Sequence, residues 1–294
     1  MRILLTGATG QVGHELANVL GGHGTGNDGG HDVIAPTRDQ CDLADPASLR
    51  RAINDARCDL IINPAAYTAV DRAEQEPGLA RAVNADAPAL LADEARKRSI
   101  PLIHFSTDYV FDGTATEPYA EDHPTAPINV YGQTKLDGER AIQSSGCAHI
   151  ILRTAWVYGR HGKNFLLTIE RLARERPRLT IVADQRGTPN WARALARATA
   201  QVAGRSRDEL SERSGIYHLS GRGETTWHGF ATAIVESMAL PKVIEVVPIA
   251  TVDFPTPARR PAYSVLSGAR LQRAFGIELP LWKDSLVECQ AVDR

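Results

Sequence analysis

Cysteine is scarce and unpaired in this sequence: Cys41, Cys58, Cys147 and Cys289 are scattered, and no two stand in a C-x-x-C arrangement. Neither a zinc site nor a disulfide framework is expected, and buried thiols in a reducing compartment account for all four. Long apolar runs are missing too. The opening MRILLTGATG is too short in its apolar part for a signal peptide, and nothing later approaches a membrane span. An excess of basic charge is also lacking, with Lys+Arg 33 against Asp+Glu 35 and a net charge of −2. That balance argues against nucleic acid or an anionic membrane surface as a partner. No internal repeat is evident. What remains is a cytoplasmic globular chain whose 294 residues, 43% of them hydrophobic, suffice for one large domain, alone or with a smaller lobe.

Short apolar runs punctuate the first half: RILLTGA, HDVIAP, CDLIINPAA and IPLIHFSTDYVF, each followed by a helical pattern, then HIILRTAWVYG and RLTIVAD. Strands buried on both faces read as such continuous runs, with helices as crossovers. The expected fold is α/β, a doubly wound parallel sheet of Rossmann type. A dinucleotide-binding core over residues 1–160 is expected. Residues 161–294 are expected to add sheet elements and a small substrate-binding lobe interwoven with that sheet. GGHGTGNDGG, Gly21 to Gly30, holds six glycines and no large apolar residue, and reads as a mobile, dispensable loop.

In LLTGATGQVGHELANVL, Gly7, Gly10 and Gly13 fall directly after the first strand and at the opening of a helix. Glycines so placed permit a tight turn, close approach of backbone to a pyrophosphate, and close packing of helix on strand. The helix N-terminus offers free N–H groups to the phosphates. A dinucleotide is therefore expected. Its kind depends on the end of the second strand, VIAPTRDQCDL, where Arg38 suits a 2′-phosphate and Asp39 suits a ribose hydroxyl. NADPH is favoured and NADH stays possible; Arg38 also reads as a plain surface charge.

Tyr131 and Lys135, in NVYGQTKLDGERA, are four residues apart and share one helix face. A free phenol titrates near 10, and a neighbouring cation would lower that value toward the range useful for proton transfer. Alone, Y-x-x-x-K is commonly a solvent-facing pair. Upstream, however, HFSTDYVF ends a strand with Ser106 and Thr107. Ligands of open α/β sheets bind beyond the carboxyl ends of the strands, so a hydroxyl there can hold a carbonyl oxygen while Tyr131 protonates it.

Together with NPAAYTAVDRAEQEP, STDYVFDG, RTAWVYG, DQRGTP and TPARRP, these motifs cover residues 4 to about 261. They resemble the extended short-chain dehydrogenase/reductase family, and within it the dTDP-4-dehydrorhamnose reductase branch. The resemblance implies NADPH-dependent reduction of the 4-keto group of a dTDP-6-deoxyhexose by a monomer or homodimer. It implies that Gly10, Gln11 and Val12 lie along the pyrophosphate, that Asp42 and Leu43 flank the adenine, and that Ala66, Tyr67 and Thr68 contact cofactor. Thr107, Tyr131 and Lys135 match the catalytic triad, with Lys135 also on the nicotinamide ribose. Thr107, Asp108 and Trp156 match sugar-nucleotide contacts, and Val70, Asn164 and the Arg259–Arg260 pair are further candidates for the nucleotide half.

Departures from the branch pattern are Pro64, Asn190 in place of threonine, and Arg193 where some relatives carry a carboxylate. Glu15 matches a residue that some relatives use to bind a metal between subunits. Without acidic partners near residue 193 no metal site is expected, and Glu15 reads as a first-turn acid complementing the helix dipole. Two rivals remain. One is another nucleotide-sugar epimerase, dehydratase or reductase, although dehydratases add an acidic pair where only Asp108 stands here. The other is a non-catalytic NADP-binding regulatory subunit like that of methionine adenosyltransferase.

Overall fold

The structure is a computed structural model, and it describes residues 1–22, 30–238 and 240–292. The first half runs β1 (Arg2–Leu5), α1 (Gln11–Leu20), β2 (Asp32–Ile34), α2 (Pro46–Ala56), β3 (Leu60–Asn63), α3 (Val70–Ala73), α4 (Pro77–Arg81), α5 (Ala87–Arg98), β4 (Leu102–Thr107), α6 (Val130–Ser145) and β5 (His149–Thr154). The second half has short strands β6 (Val157–Tyr158), β7 (Arg178–Val182), β8 (Arg186–Gly187), β9 (Asn190–Trp191), β10 (Gly215–His218), β11 (Thr225–Thr226) and β12 (Glu245–Ile249). Between and after them lie α7 (Phe165–Glu175), α8 (Ala192–Ala203), α9 (Arg207–Glu212), α10 (Trp227–Ser237), α11 (Ala269–Phe275) and α12 (Trp282–Ala291).

Six strands form one parallel sheet in the order β10-β5-β4-β3-β1-β2. The expected doubly wound fold is present. β1 has β2 on one side and β3 on the other, so the winding direction reverses beside β1, which is where such sheets open a ligand crevice. Register places Thr107 opposite Thr154 at the carboxyl ends of β4 and β5.

One strand expectation was wrong. RLTIVAD does not extend the main sheet, because β7 pairs with β12 in a separate two-stranded sheet. Its exposed Arg178 and Thr180 alternate with a buried Leu179, whereas every residue of β4 and β5 is buried. The place beside β5 goes instead to β10, from GIYHLSG.

Alternate side chains of each strand feed opposite faces of the sheet. Ile3 and Leu5 pack with Leu16, Leu195 and Leu271 on one face, while Leu4 packs with Leu49, Leu91 and Ile142 on the other. A third apolar cluster gathers Tyr158, Leu166, Trp191, Phe230 and Trp282 from the second half.

The helix carrying Tyr131 and Lys135 is anchored firmly. Asn129 caps α6, its Oδ1 accepting from Gly132 N at 2.8 Å, and Gly146 ends the helix in the left-handed region at φ +74°. Glu139 on α6 accepts both Nε and Nη2 of Arg153 on β5, at 2.8 and 2.6 Å, with both side chains wholly buried. Gly132 and Gly138 let α6 close on its neighbours; a Cβ at either would stand 2.2 Å from a backbone oxygen, of Tyr109 and Asn84 respectively.

The loop reading of Gly21 to Gly30 falls, for residues 23–29, outside the described residues. Its ends are described: His31 N donates to Leu20 O at 3.0 Å.

Candidate active site

The glycine turn is built as its spacing suggests. Gly7 takes φ +63°, a conformation side chains resist, and Gly10 N donates to Gly7 O at 2.9 Å. Gly13 brings the first turn of α1 onto that loop so closely that a Cβ there would lie 2.1 Å from Gly7 O. The N-cap of α1 is Gly10, with no side chain across the helix end. The first N–H groups of α1 therefore open into a groove of about 510 Å³ along the carboxyl ends of the strands.

All thirteen residues expected to hold the cofactor line this one groove. Gly7, Gly10, Gln11, Val12 and Gly13 form its floor; Arg38, Asp42 and Leu43 come from beyond β2. Ala66, Tyr67 and Thr68 follow β3, and Tyr131 with Lys135 close the far end. Arg38 lines the groove while its neighbour Asp39 does not. Tyr67 is pinned from behind by Asn84, which sits in a π-helical turn (Ala82–Asp86), accepts from Tyr67 N at 2.8 Å and donates to Tyr67 O at 3.1 Å. Three buried polar atoms of groove-lining residues lack a protein partner: Gln11 Oε1, Ser106 Oγ and Thr154 Oγ1. Buried polar groups without partners call for an explanation, and a ligand seated in the groove would supply the bonds these three lack. The glycine cradle, the open helix end and these orphaned oxygens fit a dinucleotide.

At the far end, Tyr131 is buried edge-on against Tyr109, with ring centroids 5.5 Å apart. Burial pushes its phenol up to about 12, partly offset by the Thr107 hydroxyl beside it. This differs from the expected lowering by Lys135. The lysine does not touch the phenol in this state: its Nζ donates to Phe105 O at 2.6 Å and lies 3.2 Å from His104 Nε2. Burial lowers Lys135 to about 8, with Glu139 acting in the opposite sense. The i, i+4 spacing placed both groups on the groove but did not make them partners.

Thr107 ends β4 and caps the short turn that follows. Its hydroxyl donates to Asp108 Oδ1 at 3.0 Å and accepts from Tyr109 N at 3.2 Å. Asp108 is buried, and that burial raises its carboxyl to about 7 against the hydrogen bond from Thr107.

The other substrate-side candidates fare differently. Val70 packs in the same apolar cluster as Tyr131. Trp156 adopts φ +44°, unusual for a bulky side chain, and stacks on Trp227 with centroids 3.6 Å apart. Arg259 keeps an exposed side chain, and its carbonyl accepts from Asn129 Nδ2 at 2.8 Å at the start of α6. Arg260 is committed: both its terminal nitrogens bind Asp71, at 2.7 Å each. Asn164 is likewise engaged in its own loop, accepting from Leu167 N at 3.1 Å and donating to Gly159 O at 2.8 Å as the cap of α7. Its neighbour Lys163 lines the groove instead.

The RmlD substrate binding domain model matches residues 1–293. The chain belongs to that family. It is 47% identical to a dTDP-4-dehydrorhamnose reductase of Burkholderia thailandensis, the match covering 98% of each chain. It is 42% identical to the enzyme of the same name from Escherichia coli K12, over 96% of this chain and 95% of that one. Among solved structures it superposes on a dTDP-4-dehydrorhamnose reductase from Bacillus anthracis in complex with NADP, with TM-score 0.90, 32% identity and 99% of each chain covered.

As a member of the RmlD family the chain has its own solutions at the departures. Glu15 lies in the second turn of α1, buried, and takes Arg193 Nε at 2.8 Å, so it is the partner of a guanidinium rather than a first-turn acid on the helix dipole. Asn190 clips three segments, donating to Ala155 O and Thr188 O at 2.7 and 2.8 Å and accepting from Gly221 N at 2.6 Å. Pro64 lines the groove after β3. Thr154, Lys163 and Asn84 were missed in the sequence. The rule that singled out Ser106 and Thr107, a hydroxyl at a strand's carboxyl end, would have found Thr154 in RTAW. Nothing local distinguishes Lys163 or Asn84.

Proposed function

We propose that the chain reduces the 4-keto group of dTDP-4-dehydro-β-L-rhamnose to give dTDP-β-L-rhamnose, using NADPH, in the cytoplasm. The observation carrying this reading is that Tyr131, with the Thr107 hydroxyl beside its phenol, and Lys135 both stand on the groove that begins at the glycine turn. NADPH supplies the hydride. The glycine turn and the first N–H groups of α1 would hold its pyrophosphate, Arg38 its 2′-phosphate, and the orphaned Ser106 and Thr154 hydroxyls would offer bonds to the part that reaches Tyr131.

The chain's own residues manage the proton and the orientation. A ketone reduced at carbon needs a proton on its oxygen, and Tyr131, held protonated by its burial, is the acid in place. Thr107 gives its own hydrogen to Asp108, so its oxygen is free to accept from the phenol and to fix the direction in which that O–H points. Lys135 contributes a cation on the groove wall, for the ribose hydroxyls and for the negative charge left on Tyr131 after the proton has gone. Arg259, unlike Arg260, has its guanidinium available for the sugar diphosphate. The reductases among the chain's relatives favour this reading over a non-catalytic NADP-binding subunit.

The test is a direct assay with dTDP-4-dehydro-β-L-rhamnose, generated in place from its precursor, following loss of NADPH absorbance and formation of the reduced sugar nucleotide. Binding of NADPH without any turnover would remove the catalytic reading and leave the regulatory one.

A further inference from the structure

Behind Lys135 runs a chain of buried polar side chains that the proposed reaction does not use. His104, on β4, is wholly buried. One ring nitrogen, Nε2, is 3.2 Å from Lys135 Nζ, and the other, Nδ1, is 3.0 Å from the Asn63 amide on β3. The far side of that amide meets the Thr6 hydroxyl at 2.5 Å, at the end of β1. Thr6, Asn63, His104 and Lys135 are each 1% exposed or less, so no solvent can complete their bonds.

The titratable and charged groups around Lys135 are few. Glu139 on its own helix is held by both nitrogens of Arg153 from β5, and Tyr131 is kept neutral by burial. His104 itself is kept neutral by burial and by the lysine beside it. Lys135 therefore has no carboxylate of its own. Burial without a counter-ion disfavours its charged form, which is why it titrates near 8.

Counting donors gives the arrangement its meaning. A neutral imidazole has one donor and one acceptor. Facing an ammonium, which only donates, Nε2 must accept; Nδ1 then carries the hydrogen and donates to the Asn63 oxygen, while the Asn63 nitrogen donates to Thr6. A neutral amine keeps an N–H for Phe105 O and gains a buried lone pair, which finds a donor when every bond of the chain reverses. Nε2–H donates to the amine, the Asn63 nitrogen donates to Nδ1, and the Thr6 hydroxyl donates to the Asn63 oxygen. Both patterns satisfy the ring and the amide with no movement beyond an amide flip and a hydroxyl rotation. A side chain with a fixed donor or acceptor satisfies only one of them.

We propose that His104 is a positioning residue for Lys135, a tautomer-switching support backed by Asn63 and Thr6 that holds the lysine at the groove wall as ammonium or as amine without a counter-ion. Its effect on turnover rests on the catalytic reading of Lys135 above; its effect on the lysine does not.

Two measurements test it. In the first, kcat at saturating substrate and NADPH is followed against pH for the parent, His104→Leu and His104→Gln. Leucine removes the partner of both forms, and the ammonium loses the stronger bond, so the alkaline limb is expected to move about one pH unit lower, the difference between a hydrogen bond to a charged group and one to a neutral group. Glutamine offers an amide that can present oxygen or nitrogen, and should return the limb to its parental position. A support that is only structural would lower Tm in both variants and leave the limb in place, which overturns the proposal.

The second measurement needs neither turnover nor a variant. In the parent protein labelled with nitrogen-15 histidine, one ring is expected to pass from Nδ1–H to Nε2–H as Lys135 deprotonates near pH 8. If no histidine changes tautomer between about pH 6.5 and 10, the proposal fails, even where the assay for sugar reduction succeeds. If one does and the assay fails, the support stands and the substrate reading falls.

Discussion

Replacing Tyr131 with phenylalanine removes one oxygen and little else. The ring stays buried against Tyr109, and Thr107 keeps its bonds to Asp108 Oδ1 and Tyr109 N, so no buried polar group is orphaned. The loss in stability should be that of one neutral hydrogen bond, about 1 kcal/mol, and so a few degrees in Tm. The loss in turnover should be far larger, about 10²- to 10⁴-fold, the usual worth of a positioned acid. NADPH affinity should scarcely change, since Lys135 and the glycine turn remain. The pH profile sharpens the test. Burial holds the phenol at about 12, so it is protonated throughout the working range, and loss of activity on the alkaline side cannot come from Tyr131. It should come from Lys135, as kcat falls through about pH 8, and the residual activity of Tyr131→Phe should fall through the same point. Initial rates under saturating NADPH, with melting curves and NADPH fluorescence titration on the same samples, decide it. A folded Tyr131→Phe protein that reduces the sugar at the parental rate would refute the assignment, as would an alkaline limb that vanishes with the hydroxyl.

Arg38→Ala should weaken NADPH by about 10- to 100-fold, the worth of a charge-assisted contact, and leave NADH unchanged; equal losses for both would mean that Arg38 does not read the 2′-phosphate. Glu139→Gln strands the buried Arg153 guanidinium, so the protein should lose about 3–5 kcal/mol, or roughly 5–8 °C in Tm, and an unchanged melt would show that the pair is well solvated. Lys135→Met tests burial of the lysine through linkage. The folded group titrates near 8 and its ordinary value is 10.5, so between these values the unfolded chain holds a proton that the folded chain lacks, and parental stability rises with pH. Relative to the Met variant, the parent should gain about 1.4 kcal/mol per pH unit over that interval, whereas a flat difference would mean that Lys135 is not held near 8.

The groove could be read from the sequence because its parts are local. A glycine turn between strand and helix, and a strand ending in Ser-Thr, are short-range patterns whose place in a wound sheet is fixed by chain order. The strand series is legible for the same reason until β7, where the run RLTIV reads as a further strand of the main sheet although its alternating Arg178 and Thr180 fit the half-covered pair it forms with β12. What escaped is non-local. His104 stands inside the apolar run LIHFS, and only two neighbouring strands with a helix packed on them show that it faces Asn63 on one hand and Lys135 on the other. The pairing of Glu15 with Arg193 spans 178 positions, and no periodicity announces it. Asn164 was named by the family resemblance, and the fold adds what the sequence did not show, that its amide caps α7 by accepting from Leu167 N and donating to Gly159 O.

The single hydrogen bond from His31 to Leu20 has a consequence for how this chain can vary. The two ends are bonded to each other, so the length of chain between them puts no lever on either α1 or β2. Lengthening such an excursion costs only closure entropy, about 0.6 kcal/mol for each doubling. Length should therefore be nearly neutral here, although the junction joins the helix whose open end faces the groove to the strand that leads to Arg38. That makes it a place to splice in a reporter domain. Insertions there would be carried at the amino end of the sheet, away from the cofactor groove at the carboxyl ends, without shifting the register of the sheet, and their cost should scale with the logarithm of their length rather than with their size.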